Sequence, residues 1–181
     1  MSRWEVFKQD APGKPHQAVG SVHATDARHA LINAAHVFVR RPAAASLWVA
    51  HASAIFSRTR QELAAQELST VDRVDPAATA APGAPLEPYE VFRKSSNRRS
   101  MTFADHVGTV EASSAAHALE LALAEPTADT ALAWWIVPTA AIAASDPADA
   151  PAWFEPARDK LYKQQSQYGS GPTPTVRRAD P

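Results

Sequence analysis

The sequence contains no cysteine. Disulfides, a thiol nucleophile, thiolate metal sites and iron–sulfur ligation are therefore excluded. Glycine is scarce, at six in 181 residues, and neither a phosphate loop, a G-x-G-x-x-G nor a nucleophile elbow occurs. No run approaches the roughly 20 apolar residues of a membrane span. The N-terminus enters SRWEVFKQD directly, with no apolar signal region. The expectation is a soluble, cytoplasmic protein with no membrane partner. Charge of one sign is also lacking: the net is −1 with both signs mixed, and phosphate binding wants a strong basic field, so nucleic acid is not expected as a partner. Hydrophobic residues make up 45 % of the chain, but alanine supplies much of that share and buries little area. A thin core follows, and thin cores make small units marginal alone.

What the chain does contain is a repetition. WEVF at Trp4 returns as YEVF at Tyr89. VGSVHATDARHAL (Val19 to Leu31) returns as VGTVEASSAAHAL (Val107 to Leu119). SLWVAHASAI, ending at Ile55, returns as AWWIVPTAAI, ending at Ile142. Three matches in order, at a nearly constant offset, describe two copies of one unit. The period is too long for a solenoid repeat and suits a duplicated small domain.

Each copy reads as β-β-α-β. RWEVFKQ is a strand, ended by the turn-rich DAPGKP. AVGSVHA is a second strand, matched by DHVGTVEA. A helix follows, capped by Thr25 or Asp26 in the first copy and by Ser113 or Ser114 in the second. Ala27, Ala30, Leu31, Ala34 and Phe38 give it one apolar face. Arg40 and Arg41 are expected in its last turn, and Pro42 ends it. SLWVAHA and LAWWIVP are third strands. RTRQELAAQEL reads as a short charged helix. The fold class is thus α+β: two tandem units, each a small antiparallel sheet with one helix on a face, packed as a pseudo-dimer. The expected boundaries are 1–68 for the first unit and 69–88 for a Pro/Ala-rich linker. The second unit takes 89–168, and 169–181 form a disordered tail.

Residues able to carry chemistry are sparse. Asp26 and His29 form the chain's one Asp-x-x-His, and no H-E-x-x-H occurs; di-iron bundles need acidic and histidine ligands from several helices. No metal, no cofactor and no catalytic residue is expected. His29 and His117 occupy equal places in the repeats, which points to shared packing more than to a shared ligand role. His23 becomes Glu111 in the second copy, which speaks against an essential base. FRKSSNRRS, with its basic run 93–99, reads as a solvated hairpin loop. Trp134 and Trp135 read as sheet core plus one outward aromatic, and outward tryptophans favour interfaces.

The assembled string is more specific than its parts. The aromatic-Glu-Val-Phe strand, VGSVHATD, the Ala-Leu pair, Arg40–Arg41 and LWV with a closing Ile resemble phenylacetate degradation protein B. That family is the small B component of phenylacetyl-CoA epoxidase. HVG at His106–Gly108 and WFEPARDKLYK are similar to the family's pattern, and the resemblance covers nearly all of both units. It implies two fused PaaB-like copies where members usually have one. Ala18 stands where the HVG histidine would be, and the first copy lacks the C-terminal region.

The resemblance further implies a non-catalytic role in an NADPH-dependent monooxygenase complex of phenylacetate catabolism. The implied partners are the di-iron A subunit and the C subunit, with self-association as a further option. Arg40, Arg41, Trp48, Trp135, Trp153, Phe154 and Tyr162 are the candidate contacts. The alternative is a stand-alone α+β protein that binds a small aromatic or a CoA ester between its units, with His29, His117 and the tryptophans around it.

Overall fold

The computed structural model describes residues 1–39, 44–69, 85–97, 103–125 and 131–155. It is an α+β fold built on antiparallel strands. The first repeat supplies β1 (Ser2–Gln9), β2 (Gln17–Ala24), α1 (Ala27–Phe38), β3 (Ser46–His51), β4 (Phe56–Thr59) and α2 (Arg60–Ser69). The second supplies β5 (Glu87–Lys94), β6 (Asp105–Ala112), α3 (Ala115–Leu123), β7 (Ala133–Pro138), β8 (Ile142–Ala144) and α4 (Ala150–Phe154). Short 3-10 turns at 52–54 and 139–141 join the third strand of each repeat to the fourth.

The expected β-β-α-β order is present in both repeats, but each continues into a fourth strand that the sequence pattern does not announce. That strand does not return to its own repeat. The sheet order is β4-β7-β5-β6-β2-β1-β3-β8. Thus β4 of the first repeat pairs with β7 of the second, Phe56 opposite Ile136, and β8 pairs with β3, Ala143 opposite Val49. In place of two small separate sheets, one eight-stranded sheet forms, palindromic with respect to the repeat. The halves join at β2 and β6, where Gln17 pairs with Asp105. Backbone bonds from Ala18 N to Ala104 O and from His106 N to His16 O flank that pair, both at 2.8 Å.

The helices behave as their sequences dictate. Asp26 is the N-cap of α1, and its Oδ1 accepts from His29 N at 2.8 Å. Ser114 does the same for α3, its Oγ accepting from His117 N at 3.1 Å. Each cap satisfies one of the free N–H groups of a helix start. The α1 helix stops at Phe38 with Val39 as its C-cap, and His36 is the basic residue of its last turn. The expectation that Arg40 and Arg41 fill that turn falls outside the described residues.

Each helix covers one face of its own three strands. Ala30, Leu31 and Ala34 pack with Val6, Val22, Leu47 and Val49; Ala118, Leu119 and Ala122 pack with Tyr89, Val91, Trp134 and Ile136. The opposite faces of both halves share a third cluster, made of Phe7, Ala18, Ala50, Phe92, Ala104 and Val137. β1 and β5 are therefore buried on both faces at their centres, and the buried stretch includes Glu5 and Lys8 in β1 and Glu90 in β5.

The exchange extends beyond the fourth strands. Phe154 on α4, from the second repeat, lies in the core of the first, only 3 % exposed. Leu63 on α2, from the first repeat, packs against the core of the second. The first repeat was expected to have nothing that corresponds to the C-terminal segment. By position α2 is that counterpart, although its sequence shares nothing with α4.

Candidate functional site

A bulge in each hairpin decides which side chains reach the shared interior. In the first repeat Val6 pairs with Gly20 and Phe7 with Ala18, so Val19 is left over. In the second, Val91 pairs with Gly108 and Phe92 with His106, so Val107 is left over. The extra residue shifts the alternation and turns Ala18 and His106 toward the interior, beside the two phenylalanines. The glycine after each valine has a positive φ, +144° at Gly20 and +157° at Gly108, a conformation L side chains rarely adopt. The VG pair of both repeats is thus the bulge itself.

Around this point the second half holds a buried polar cluster. Glu90 is 6 % exposed. Its Oε2 lies 2.6 Å from His106 Nε2 and accepts the Thr109 hydroxyl at 2.9 Å. Its Oε1 accepts the Thr139 hydroxyl at 3.0 Å. Both oxygens are satisfied, as a buried carboxylate requires. The equal position in the first half is Glu5, also buried, whose Oε1 receives Arg3 Nε at 2.8 Å. The partners differ because the neighbours do. The first half has Ala18 for His106, Ser21 for Thr109 and Ala52 for Thr139, whereas the second has Pro88 for Arg3.

His16 comes from the loop before β2. Its ring stacks on Trp48, with centroids 3.6 Å apart and planes at 15°. Burial lowers its pKa from 6.5 to about 4; His106 acts in the same direction, and Glu90 opposes. Among the described residues its Nε2 has no hydrogen-bond partner. Trp48 also meets His106 edge-on at 5.6 Å. Phe7 stacks on Phe92 at the middle of the cluster and meets Trp135 edge-on at 6.4 Å.

The arrangement orders a packed interior: a carboxylate saturated with donors, an imidazole held neutral, and four aromatic rings. Among the described residues no three His, Asp or Glu side chains are grouped to hold a metal. His29 and His117 stand apart from this interior. His29 Nδ1 lies 3.2 Å from Thr25 Oγ1, and His117 Nδ1 accepts from Ser113 N at 3.2 Å. They are third helical residues reaching back to the helix start, a variant of the capping box, and this explains their equal positions in the two repeats. They do not meet the tryptophans.

The candidate contact residues separate likewise. Trp48 and Trp135 are half-buried and belong to the shared interior. Trp153 is half-buried beside Phe154, its ring edge-on at 6.5 Å. Phe154 itself faces inward and presents no free surface. Arg40, Arg41 and Tyr162 lie outside the described residues. Glu90, Glu5 and His16 were not singled out from the sequence. A signal existed for the glutamates, since both stand at the same place in the repeated strand, between an aromatic residue and Val-Phe. None existed for His16, which lies in a loop with no repeat partner.

No helix among the described residues is long and apolar enough to cross a membrane. No solved structure matches the chain. The B component of the 1,2-phenylacetyl-CoA epoxidase of Escherichia coli (strain K12) is 42 % identical over 59 residues, which make up 33 % of this chain and 62 % of that protein. The chain thus spans about three fifths of that relative's length. The family model for phenylacetic acid degradation B matches twice, over residues 1–74 and again over 86–173. The chain belongs to the phenylacetic acid degradation B family, as two tandem copies of its unit.

Proposed function

We propose that the chain is a non-catalytic assembly component of a multicomponent monooxygenase that epoxidises the ring of phenylacetyl-CoA. In this reading it bridges the di-iron A subunit and the C subunit during phenylacetate catabolism, in the cytoplasm. The carrying observation is that both repeats, and not one alone, match the family of the epoxidase's B component. The interior supports the reading, because its carboxylates and rings are engaged with one another. The two units, 1–68 and 89–168 around the linker 69–88 and before the tail 169–181, would stand in for a pair of single-unit chains. Linking them makes their association intramolecular, at an effective concentration of about a millimolar for a short linker.

The test is affinity purification of the tagged chain from its native bacterium grown on phenylacetate, followed by reconstitution. Co-elution with the oxygenase subunits, and epoxidation that needs the chain but survives replacement of Glu90 or His106 in proportion to folding, are expected. A chain that elutes alone, or that turns over substrate without partners, would overturn the reading.

A further inference from the structure

The two halves share a topology but differ in charge along one exposed feature. In each, the strand after the bulge runs outward past the seam. Beyond Ala18 nothing among the described residues pairs with the outer edge of β2. The α1 helix runs back along that edge. Gly20 lies under the Phe38 ring, and Asn33 Nδ2 donates to the His23 carbonyl at 3.1 Å. Antiparallel pairing turns alternate residues toward one neighbour and the next. Since the His23 carbonyl is turned outward, the Ser21 N–H and C=O are outward too. An open groove of about 330 Å³ follows there, lined by Ser21, Val22, His23, Asn33, His36 and Val37. Val37 is 54 % exposed and Ile32 38 %. An outward strand edge beside a helix with an exposed apolar side chain is the geometry that accepts an added strand.

Charge selects the occupant. The exposed face of α1 carries Arg28, Ile32, His36 and Val37 and no carboxylate. At the corresponding positions the second half has Ala116 and the half-buried Glu120 on α3, and Ala124 and the exposed Glu125 just past its end. One edge suits an acidic segment, and its counterpart repels one. We infer that the β2 edge and the α1 face form a docking groove for an extended acidic segment of a partner protein, whereas the β6 edge does not. The segment adds a strand at Ser21, sets an apolar side chain over Val22 and Val37, and brings a carboxylate to Arg28. Arg28 and His36 are two turns apart, about 12 Å, which a strand covers in about four residues. The carboxylate and the apolar anchor should therefore be about four residues apart. This deepens the assembly role proposed above and identifies one surface for it.

The test uses the full chain and two synthetic eight-residue peptides of otherwise identical sequence, one with a Val four residues from a Glu and one with a Val four residues from a Lys, read by fluorescence anisotropy. The acidic peptide should bind the native chain at least tenfold tighter than the basic one. Arg28→Glu combined with Val37→Glu, both surface changes, should abolish that preference, and Glu125→Lys on the other half should leave it unchanged. Hydrogen exchange with the acidic peptide bound should slow at Ser21 and not at Thr109. No preference, or a preference that survives the double substitution, overturns the inference. A parallel assembly experiment separates it from the broader reading. Normal assembly of the double variant with the oxygenase subunits would place the partner elsewhere and overturn the groove alone. Peptide binding without any oxygenase complex would keep the groove and remove the assembly role.

Discussion

Phe7 and Phe92 stack ring on ring, with centroids 4.2 Å apart and planes 25° from parallel. They occupy the same position of the two EVF strands, one in each repeat, and neither is exposed. The contact is thus between a residue and its own duplicate. It backs the β2–β6 seam, which is a single ladder pair with two flanking hydrogen bonds. Either Phe→Ala change should cost about 3–5 kcal/mol. The double variant should cost less than the sum, by about 0.5–1.5 kcal/mol, since each single change already ends the ring contact. Urea unfolding of the four proteins checks this. Strict additivity would show that the rings are neighbours without coupling.

His16 makes the stability pH-dependent. Its imidazole is buried against Trp48, and its pKa falls from 6.5 to about 4. Above about pH 6.5 it is neutral in both states and contributes its full packing. As pH falls below that, the unfolded chain takes up a proton that the folded chain resists until about pH 4. Stability is therefore lost over that window, by about 3 kcal/mol at most. His16→Phe keeps a ring on Trp48 and cannot titrate. Its stability should fall less than the native protein's between pH 6.5 and 4. Parallel curves would assign the proton uptake to other groups.

Much of this was legible in the sequence, for local reasons. Asp26 and Ser114 announce helix starts because their oxygens cap free N–H groups. Ala30, Leu31 and Ala34 announce a core face because they recur at helical spacing. The exchange of β4 and β8 was not legible. Phe56–Thr59 and Ile142–Ala144 are short strands, and nothing in their residues says which repeat they will join. That choice is made by the 3-10 turns and by the partner strand available. The same holds for Phe154, which reads as a partner contact until the other repeat's core is seen beneath it. Glu90 escaped notice for a different cause. Its donors come from two separate places in the chain, His106 and Thr109 on β6 and Thr139 in the turn after β7, and only the bulge brings the first of them inward.

The bulge glycines offer a graded pair. A Cβ on Gly20 would meet the Phe38 ring at 2.9 Å, whereas one on Gly108 would meet nothing within 4 Å among the described residues. Both have a positive φ, so both alanine variants carry backbone strain, about 1–3 kcal/mol. Gly20→Ala adds the clash and should be the less stable of the two. Thermal melts decide the order, and adding Phe38→Leu should narrow the difference. Equal melts would mean that the ring yields freely.

Arg40 and Arg41 follow α1 in the sequence, and two adjacent guanidiniums suit bidentate recognition of carboxylates, which lysine cannot reproduce. If they anchor a partner, Arg40→Ala with Arg41→Ala should weaken assembly by about 2–5 kcal/mol and leave the melt of the isolated chain in place. Co-elution with the oxygenase subunits and a melt of the variant are the two readings. Unchanged assembly removes the pair from the interface; a collapsed melt assigns it to the fold.

The exchanged strands make the sharpest demand on the halves. Expressed alone, the first half keeps β4 without β7, the strand it pairs with, and its core loses Phe154. The second half keeps β8 without β3 and loses the cover of Leu63. Each loses the interior shared through Phe7 and Phe92. Residues 1–69 and 85–181, produced separately, should therefore lack a cooperative melt or associate with themselves, and mixing should restore one transition and a 1:1 complex. Phe154→Ala in the intact chain gives the same demand at a single site. It should cost about 3–5 kcal/mol, and hydrogen exchange should quicken in β1 and β3 of the first repeat more than in β5 and β7 of its own. Halves that melt cooperatively as monomers, or a Phe154→Ala change felt only within the second repeat, would show that the exchange contributes little to the fold.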